Sequence, residues 1–135
     1  MSVPLSKSEC LELIEMIRKV QVEVRNLPFA DPAFVEWRWK ELGEATLAEF
    51  RWTSPRVVSL NISNRGMLDW LVSSACHELT HVQQYRDYGL FGFLLRAMPV
   101  IRKFTLEREA WAVERVADTV YGRTGLNDDN PVFIQ

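Results

Sequence analysis

The sequence predicts an α+β fold in one domain that covers residues 1–135. Apolar residues recur at helical spacing near the N-terminus and over the second half of the chain, but they alternate with polar residues in residues 34–63. The 135 residues match the length of a single domain, and 47% hydrophobic with 25% charged residues is typical of a soluble globular protein. This composition excludes a disordered tail, a fibrous repeat and a polytopic membrane protein.

An N-terminal helix is predicted over Leu5–Val24, where apolar residues recur every three or four positions. Ser6 can cap this helix, because Glu9 follows it at the position of the reciprocal partner in a capping box. The helix is expected to end before Pro28.

A small antiparallel β-meander of two or three strands is predicted next, because apolar and polar residues alternate there. Its strands are expected around Trp37 and over Thr46–Trp52 and Arg56–Ile62. A short helix from Asp31 to Leu42 is the alternative for the first strand. Most of the tryptophans lie on the meander or just after it, and those expected in the core are Trp37, Trp39, Trp52 and Trp70.

Three helical stretches are predicted after the meander, over Met67–Tyr88, Leu90–Arg102 and Thr105–Tyr121. A glycine follows the first and the third, in the position that often ends a helix. Residues 123–135 are rich in Gly, Asn and Asp and are expected to form loop or extended chain.

Charge and targeting features narrow the function classes. The net charge is −2, from 16 basic and 18 acidic residues, which argues against nucleic acid as a partner. Two cysteines, Cys10 and Cys76, are too few for a disulfide framework. The N-terminus lacks the pattern of a signal peptide, and the most apolar stretch, Gly89–Ile101, is shorter than the roughly 20 residues that span a bilayer. The sequence therefore predicts a cytoplasmic protein with no membrane span.

Both histidines of the chain belong to one motif, His77-Glu78-Leu-Thr-His81, on a predicted helix. Residues four apart lie on one helical face, so both imidazoles can bind one metal ion, and zinc is the ion that this pattern favours. Glu78 lies to the side, where it can hold a zinc-bound water and take its proton. The alternative is a pair of surface histidines beside a solvated glutamate.

A catalytic zinc site usually has three protein ligands, and the chain has no third histidine. The third ligand is therefore expected to be a carboxylate of the last predicted helix, which offers Glu107, Glu109, Glu114 and Asp118. Glu107 and Glu114 share a face, whereas Glu109 points away from it. Because Glu107 and Glu114 lie about 10 Å apart along the helix axis, only one of them can contact the ion.

These motifs resemble those of HExxH zinc metallopeptidases (zincins), specifically the members with a glutamate third ligand (gluzincins). Such families carry Glu-x-x-Ala, often followed by Asp, on a later helix. The chain matches this second motif twice, as Glu107-Arg-Glu-Ala110 and as Glu114-Arg-Val-Ala117-Asp118. The residues around His77 are also similar to small, uncharacterised bacterial domains of metallopeptidase type. The strand–turn–helix order resembles SprT-like metallopeptidases, although those use a third histidine.

The resemblance implies a zincin-like domain, with an N-terminal helix, the meander, an active-site helix and C-terminal helices. It implies one Zn²⁺ per chain, bound by His77, His81 and Glu107. Glu107 is preferred because a Glu-x-Glu-Ala run follows the active-site helix in several such domains, whereas the match at Asp118 favours Glu114. The rivals are a zinc-binding regulatory or interaction domain without efficient turnover, and a structural module in which the motif is coincidental.

The implied reaction is hydrolysis of a peptide bond in a peptide or protein substrate, with Glu78 as general base on a zinc-bound water. The strand Val58–Ile62 would line the cleft and pair with an extended substrate. Candidates to stabilise the oxyanion are Tyr85, Tyr121 or an arginine, and Asp118 is a candidate to orient an imidazole. The small size of the domain implies an exposed cleft or a protein partner that completes it.

Overall fold

Most strands of a small sheet come before most of the helices, and only one helix lies between the first strand and the others. The computed structural model describes residues 2–122, apart from the side chain of residue 100. In chain order the elements are β1 (Ser2–Pro4), α1 (Lys7–Gln21), β2 (Glu36–Lys40), β3 (Ala48–Arg51), β4 (Ser54–Asn61), α2 (Leu68–Arg96), α3 (Pro99–Arg102) and α4 (Leu106–Val120). The predicted α+β class is confirmed, and the predicted loop at 123–135 lies outside the described residues.

The sheet is mixed, which corrects the predicted antiparallel meander. Its strand order is β1-β2-β4-β3. β2 runs parallel to β4, with Trp37 opposite Val58, while the two outer pairs are antiparallel. The alternation located the strands but not their order, because parallel and antiparallel strands share the same two-residue period. β4 has a partner on each edge, so the prediction that it pairs with a substrate is wrong, and the two edge strands of the sheet are β1 and β3.

Helix ends follow local signals. The hydroxyl of Ser6 accepts from the Glu9 backbone N–H, and the Glu9 carboxylate accepts from the Ser6 N–H, which is the predicted capping box. Helix α2 continues past its predicted end, but its geometry breaks at Gly89, with φ 73° and ψ 178°. Glycine adopts this positive φ without the steric cost of a Cβ atom. No helix within residues 2–122 is long and apolar enough to cross a membrane.

The core lies between the sheet and the three longer helices. It includes Leu13 and Ile17 of α1, Leu60 of β4, Leu71 and Leu79 of α2, and Val113 of α4. Trp37 and Trp39 are buried as predicted. The other two tryptophans correct the prediction, because Trp52 is 45% and Trp70 is 44% exposed. Trp52 lies in the tight turn between β3 and β4, where alternation no longer reports which face is buried.

A group of three side chains, which we call the N-terminal junction, ties α1 to the sheet. Arg65 donates to both oxygens of Glu9, from Nε at 2.8 Å and from Nη2 at 3.1 Å. The indole of Trp39 donates to the same carboxylate at 3.2 Å. The guanidinium of Arg65 lowers the pKa of Glu9 to about 2.

Candidate metal centre

The centre forms where α2 faces α4. The buried residues of α4 recur at helical spacing, which gives the helix one apolar face, formed by Leu106, Ala110, Val113 and Ala117. The two helices run in opposite directions, since Ser73 of α2 contacts Asp118 and Gln84 of α2 contacts Glu109. This pairing brings the middle of α2, with both histidines, against the first half of α4, from Glu107 to Glu114.

Three possible ligand atoms converge between the helices. Nε2 of His77 lies 3.0 Å from Oε1 of Glu107, and Nε2 of His81 lies 3.2 Å from the same oxygen. The three atoms lie within 4.8 Å of one another, so this group can hold a metal ion. The side chains are largely buried, with 13% of His77, 5% of His81 and 14% of Glu107 exposed.

The other nitrogen of each imidazole has its own partner. Nδ1 of His77 lies 2.7 Å from a carboxylate oxygen of Glu114, and Nδ1 of His81 lies 2.8 Å from the amide oxygen of Gln84. Because these oxygens only accept hydrogen bonds, each Nδ1 carries the proton and donates it. The Nε2 lone pairs are then available to an ion, in the tautomer that a metal ligand requires.

The orientation of the Gln84 amide is set independently of the histidine. Its nitrogen donates to the backbone oxygen of Leu106 at 3.0 Å and to Oε1 of Glu109 at 2.9 Å. Two acceptors on the nitrogen side leave the amide oxygen to face His81. Gln84 is fully buried, so a reversed amide would leave these polar groups without partners.

The electrostatics of the centre favour positive charge. Burial alone would lower the pKa of His77, but its hydrogen bonds with Glu107 and Glu114 outweigh this and raise the pKa to about 10. Burial would raise the pKa of Glu107, but the hydrogen bonds with His77 and His81 hold that pKa well below its usual range. Acceptor atoms this close repel one another unless a cation lies between them. A proton on an imidazole or a metal ion satisfies that requirement.

Two clefts meet at Glu78. The larger has a volume of about 440 Å³ and is lined on one side by Phe50, Arg51, Trp52 and Thr53, and on the other by His81, Phe93, Leu94, Ala97 and Arg102. The smaller, of about 240 Å³, is lined by residues 45–48, Ser74, His77, Trp111 and Glu114. Strand β3 borders both clefts. Burial raises the pKa of Glu78, and the neighbouring histidines oppose this shift.

Two predicted acidic residues lie near the centre without contacting an Nε2 atom. Glu109 accepts from the amide of Gln84, so it acts on His81 only through that residue. Asp118 accepts a hydrogen bond from the Ser73 hydroxyl. Asp118 was one candidate to orient an imidazole, but the Nδ1 atoms have Glu114 and Gln84 as partners.

The two tyrosines differ in position. Tyr121 donates its hydroxyl to the backbone oxygen of Met16, so it ties α4 to α1 and does not face the centre. Tyr85 packs edge-on against Phe50 and Phe93, and Phe50 lies 6.4 Å from the His81 ring. The prediction of Tyr121 as an oxyanion group is therefore wrong, whereas Tyr85 stays beside the larger cleft.

Sequence reasoning missed two residues of the centre. Gln84 lies three positions after His81 on the same helical face, and this spacing was a usable signal. Arg102 donates to the second oxygen of Glu107 at 2.6 Å and lines the larger cleft. No sequence pattern indicated Arg102, because the chain reversal between α2 and α4 brings it to the site.

The chain was compared with known proteins at three levels. No protein-family model matches it, and no curated protein or solved structure matches it either. The residues of α2 and α4 described above are therefore the basis for assigning a function.

Proposed function

We propose that this protein is a zinc metallopeptidase. One Zn²⁺ ion is held by His77, His81 and Glu107, and a peptide bond is hydrolysed with Glu78 as general base. The observation that carries the proposal is the convergence of both Nε2 atoms on one carboxylate oxygen while both Nδ1 atoms are held by other side chains.

The ligand atoms fit zinc better than other common ions. Two imidazoles with one carboxylate form a known catalytic zinc set, whereas Ca²⁺ and Mg²⁺ prefer oxygen ligands. Ligands at about 2.0–2.1 Å from a tetrahedral zinc ion lie about 3.3 Å from one another. The distances of 3.0 and 3.2 Å between the Glu107 oxygen and the two Nε2 atoms are close to that spacing.

The chain supplies the remaining chemistry through its own side chains. When bound, zinc polarises a peptide carbonyl and lowers the pKa of a water molecule. Glu78, at the junction of the two clefts, takes a proton from the attacking water and delivers it to the leaving amine. Glu114 and Gln84 keep the imidazoles in their orientation during this transfer. Arg102, which already donates to Glu107, lines the cleft in which negative charge develops on the carbonyl oxygen.

The substrate is an extended peptide that pairs with β3. This strand ends the sheet, and it borders the smaller cleft at Ala48 and the larger one at Phe50. A peptide added along β3 would gain main-chain hydrogen bonds and pass from one cleft to the other across Glu78. The clefts on either side would then receive alternate side chains of the peptide.

The test is Glu78→Gln, with Glu12→Gln as a matched control on the exposed side of α1. Glu78→Gln should keep about one zinc per chain but lose peptide hydrolysis by roughly 100-fold or more, because its carboxylate transfers a proton and does not hold the ion. Elemental analysis gives the zinc content, and a library of quenched fluorescent peptides gives the activity.

Two outcomes would contradict the proposal. If Glu78→Gln loses its zinc while Glu12→Gln keeps it, Glu78 is a ligand and the assignment of roles is wrong. If the zinc-loaded wild-type protein cleaves no peptide of the library, hydrolysis is wrong and a zinc-binding regulatory domain becomes the better description.

A further inference from the structure

An apolar surface of unusual exposure lies beside the larger cleft. We call it the apolar rim: Phe91, Leu95, Met98, Ile101 and Phe104. Phe91 is 85% exposed and Phe104 is 73% exposed, and the other three are between 37% and 58% exposed. Most exposed apolar side chains of a globular protein are scattered singly. Here they are concentrated in residues 91–104, from the last part of α2 to just past the end of α3.

The rim is the outer side of a segment whose other side faces inward. Phe91 and Leu95 are one helical turn apart in the last part of α2 and point to solvent. Phe93 of the same turn is buried, and Leu94 lines the larger cleft. The apolar character on the outer side is therefore additional to what the core requires.

The charges of this segment have one sign. Between Asp87 and Glu107 the chain has no acidic residue, but it has Arg96, Lys103 and Arg102, of which Arg102 pairs with Glu107. The whole chain carries a net charge of −2, so the positive charge is local. On the opposite lip of the cleft, β3 ends at the exposed Arg51, which pairs with Glu49, and the turn after the strand adds Trp52. Exposed aromatic and aliphatic groups among cations are typical of segments that lie in a membrane interface.

We propose that the apolar rim binds the surface of an anionic lipid bilayer. Segments of this type place their apolar side about 5–10 Å into the boundary between headgroups and acyl chains, while nearby cations contact the anionic headgroups. A second copy of the chain fits the rim less well. A two-fold interface between two rims would bring Arg96, Arg102 and Lys103 of one copy against the same cations of the other.

The location of the rim has a consequence that rests on the proposed function. Leu94, Ala97 and Arg102 line the cleft that contains His81 and Glu78, and the rim residues lie between and beside them in the chain. A bilayer bound at the rim would therefore lie next to the mouth of the cleft. The substrates would be peptide segments at a membrane surface.

The test is flotation of the full-length protein with vesicles of equal phosphatidylcholine and phosphatidylglycerol. The wild-type protein should float with these vesicles, and its partition coefficient should be at least tenfold lower for vesicles of phosphatidylcholine alone. For the mixed vesicles, the partition coefficient of the double variant Phe91→Ser/Phe104→Ser should be at least tenfold lower than that of the wild type. The partition coefficient of Lys103→Gln should be about fivefold lower, as expected for the loss of one cation near an anionic surface.

Leu11→Ser is the matched control, because Leu11 is 61% exposed on α1, outside the rim. It should bind vesicles as the wild type does. Absence of wild-type binding to anionic vesicles, or an equal loss in Leu11→Ser, would overturn the proposal. If the rim variants instead abolish a dimer in sedimentation experiments and no protein floats, the rim is an interface between copies. Flotation uses no substrate, so the result is independent of any failure of peptide hydrolysis.

Discussion

Glu107 in the candidate metal centre and Glu9 in the N-terminal junction are both largely buried carboxylates that contact side chains of other segments. Glu9 receives two hydrogen bonds from Arg65, a group that is always charged. Glu107 also has an arginine, Arg102, but only on its outer oxygen. Its inner oxygen faces two imidazole nitrogens that can each give up a proton.

This difference separates a structural carboxylate from one suited to bind a metal. The cation at Glu9 is part of the chain and cannot exchange. At the inner oxygen of Glu107 the cation is either a proton on an imidazole or an ion from solution, so its identity depends on conditions. Burial and charge alone do not distinguish the two sites, because both carboxylates have a lowered pKa.

The largest effect expected from this comparison is on zinc affinity. Glu107→Ala removes a proposed ligand, so it should weaken zinc binding by well over the roughly 10- to 100-fold that is typical for residues behind the ligands. Glu9→Ala should lower stability but leave the zinc dissociation constant unchanged. Competition with a chromophoric chelator measures both. A larger loss for Glu114→Ala than for Glu107→Ala would show that Glu114 is the ligand.

A smaller loss of zinc affinity is expected when the residues that accept hydrogen bonds from the imidazoles are changed. Gln84→Leu and Glu114→Leu should each weaken zinc binding roughly 10- to 100-fold, because each removes the hydrogen-bond acceptor of an Nδ1 atom. Glu109→Ala should have less effect, since Glu109 reaches His81 only through the Gln84 amide. The same competition assay ranks the three variants. Equal affinities for Gln84→Leu and the wild type would show that the amide does not select the tautomer.

The smallest expected effect is on the free energy of unfolding, and it comes from a substitution in the N-terminal junction. Arg65→Gln should lower the free energy of unfolding by about 1 kcal/mol at neutral pH. The pKa of Glu9 in the folded chain is about 2, below its ordinary value of 4.5, so this stabilisation is complete above pH 4.5 and is lost as the pH falls through 2. Urea unfolding at several pH values should therefore show a difference that decreases below pH 4.5.

Arg18→Gln is the control for that measurement, because Arg18 pairs with Asp31 where both side chains are about half exposed. Arg18→Gln should lower the free energy of unfolding at neutral pH by less than Arg65→Gln does, because exposed ion pairs contribute little to stability. A difference for Arg65→Gln that stays constant from pH 7 to pH 2 would show that the loss does not come from the charge on Glu9.

The sequence predicted the histidine pair and a facing glutamate, because helical periodicity alone decides which residues of one helix share a face. It left Glu107 and Glu114 as alternatives, since both lie on the same face of α4. The structure places them on opposite nitrogens of the His77 ring, and only a three-dimensional arrangement contains that information. Arg102 was missed for a related reason, because its position depends on how the chain turns between helices.

The sheet likewise shows that sequence patterns locate elements without giving their arrangement in space. Alternation located three of the strands, but strand order depends on which edges pair, and that depends on long-range packing. The N-terminal strand β1 was not predicted at all, because three residues are too few for a period. The predicted peptide-binding strand was β4, which lies inside the sheet, whereas the edge strand that borders the clefts is β3.

The parallel pairing of β2 with β4 also has a consequence for the order in which the strands of the sheet can pair during folding. β3 and β4 are joined by a tight turn and can pair early, because little chain entropy is lost in closing a short loop. β2 pairs with the other edge of β4, and the chain between β2 and β4 includes β3, so this pairing closes a longer loop. β1 pairs only with β2, so it can join the sheet only after β2 is in place. Chain segments that pair late contribute least to the folding transition state. Substitutions in β1 should therefore accelerate unfolding while leaving the refolding rate nearly unchanged.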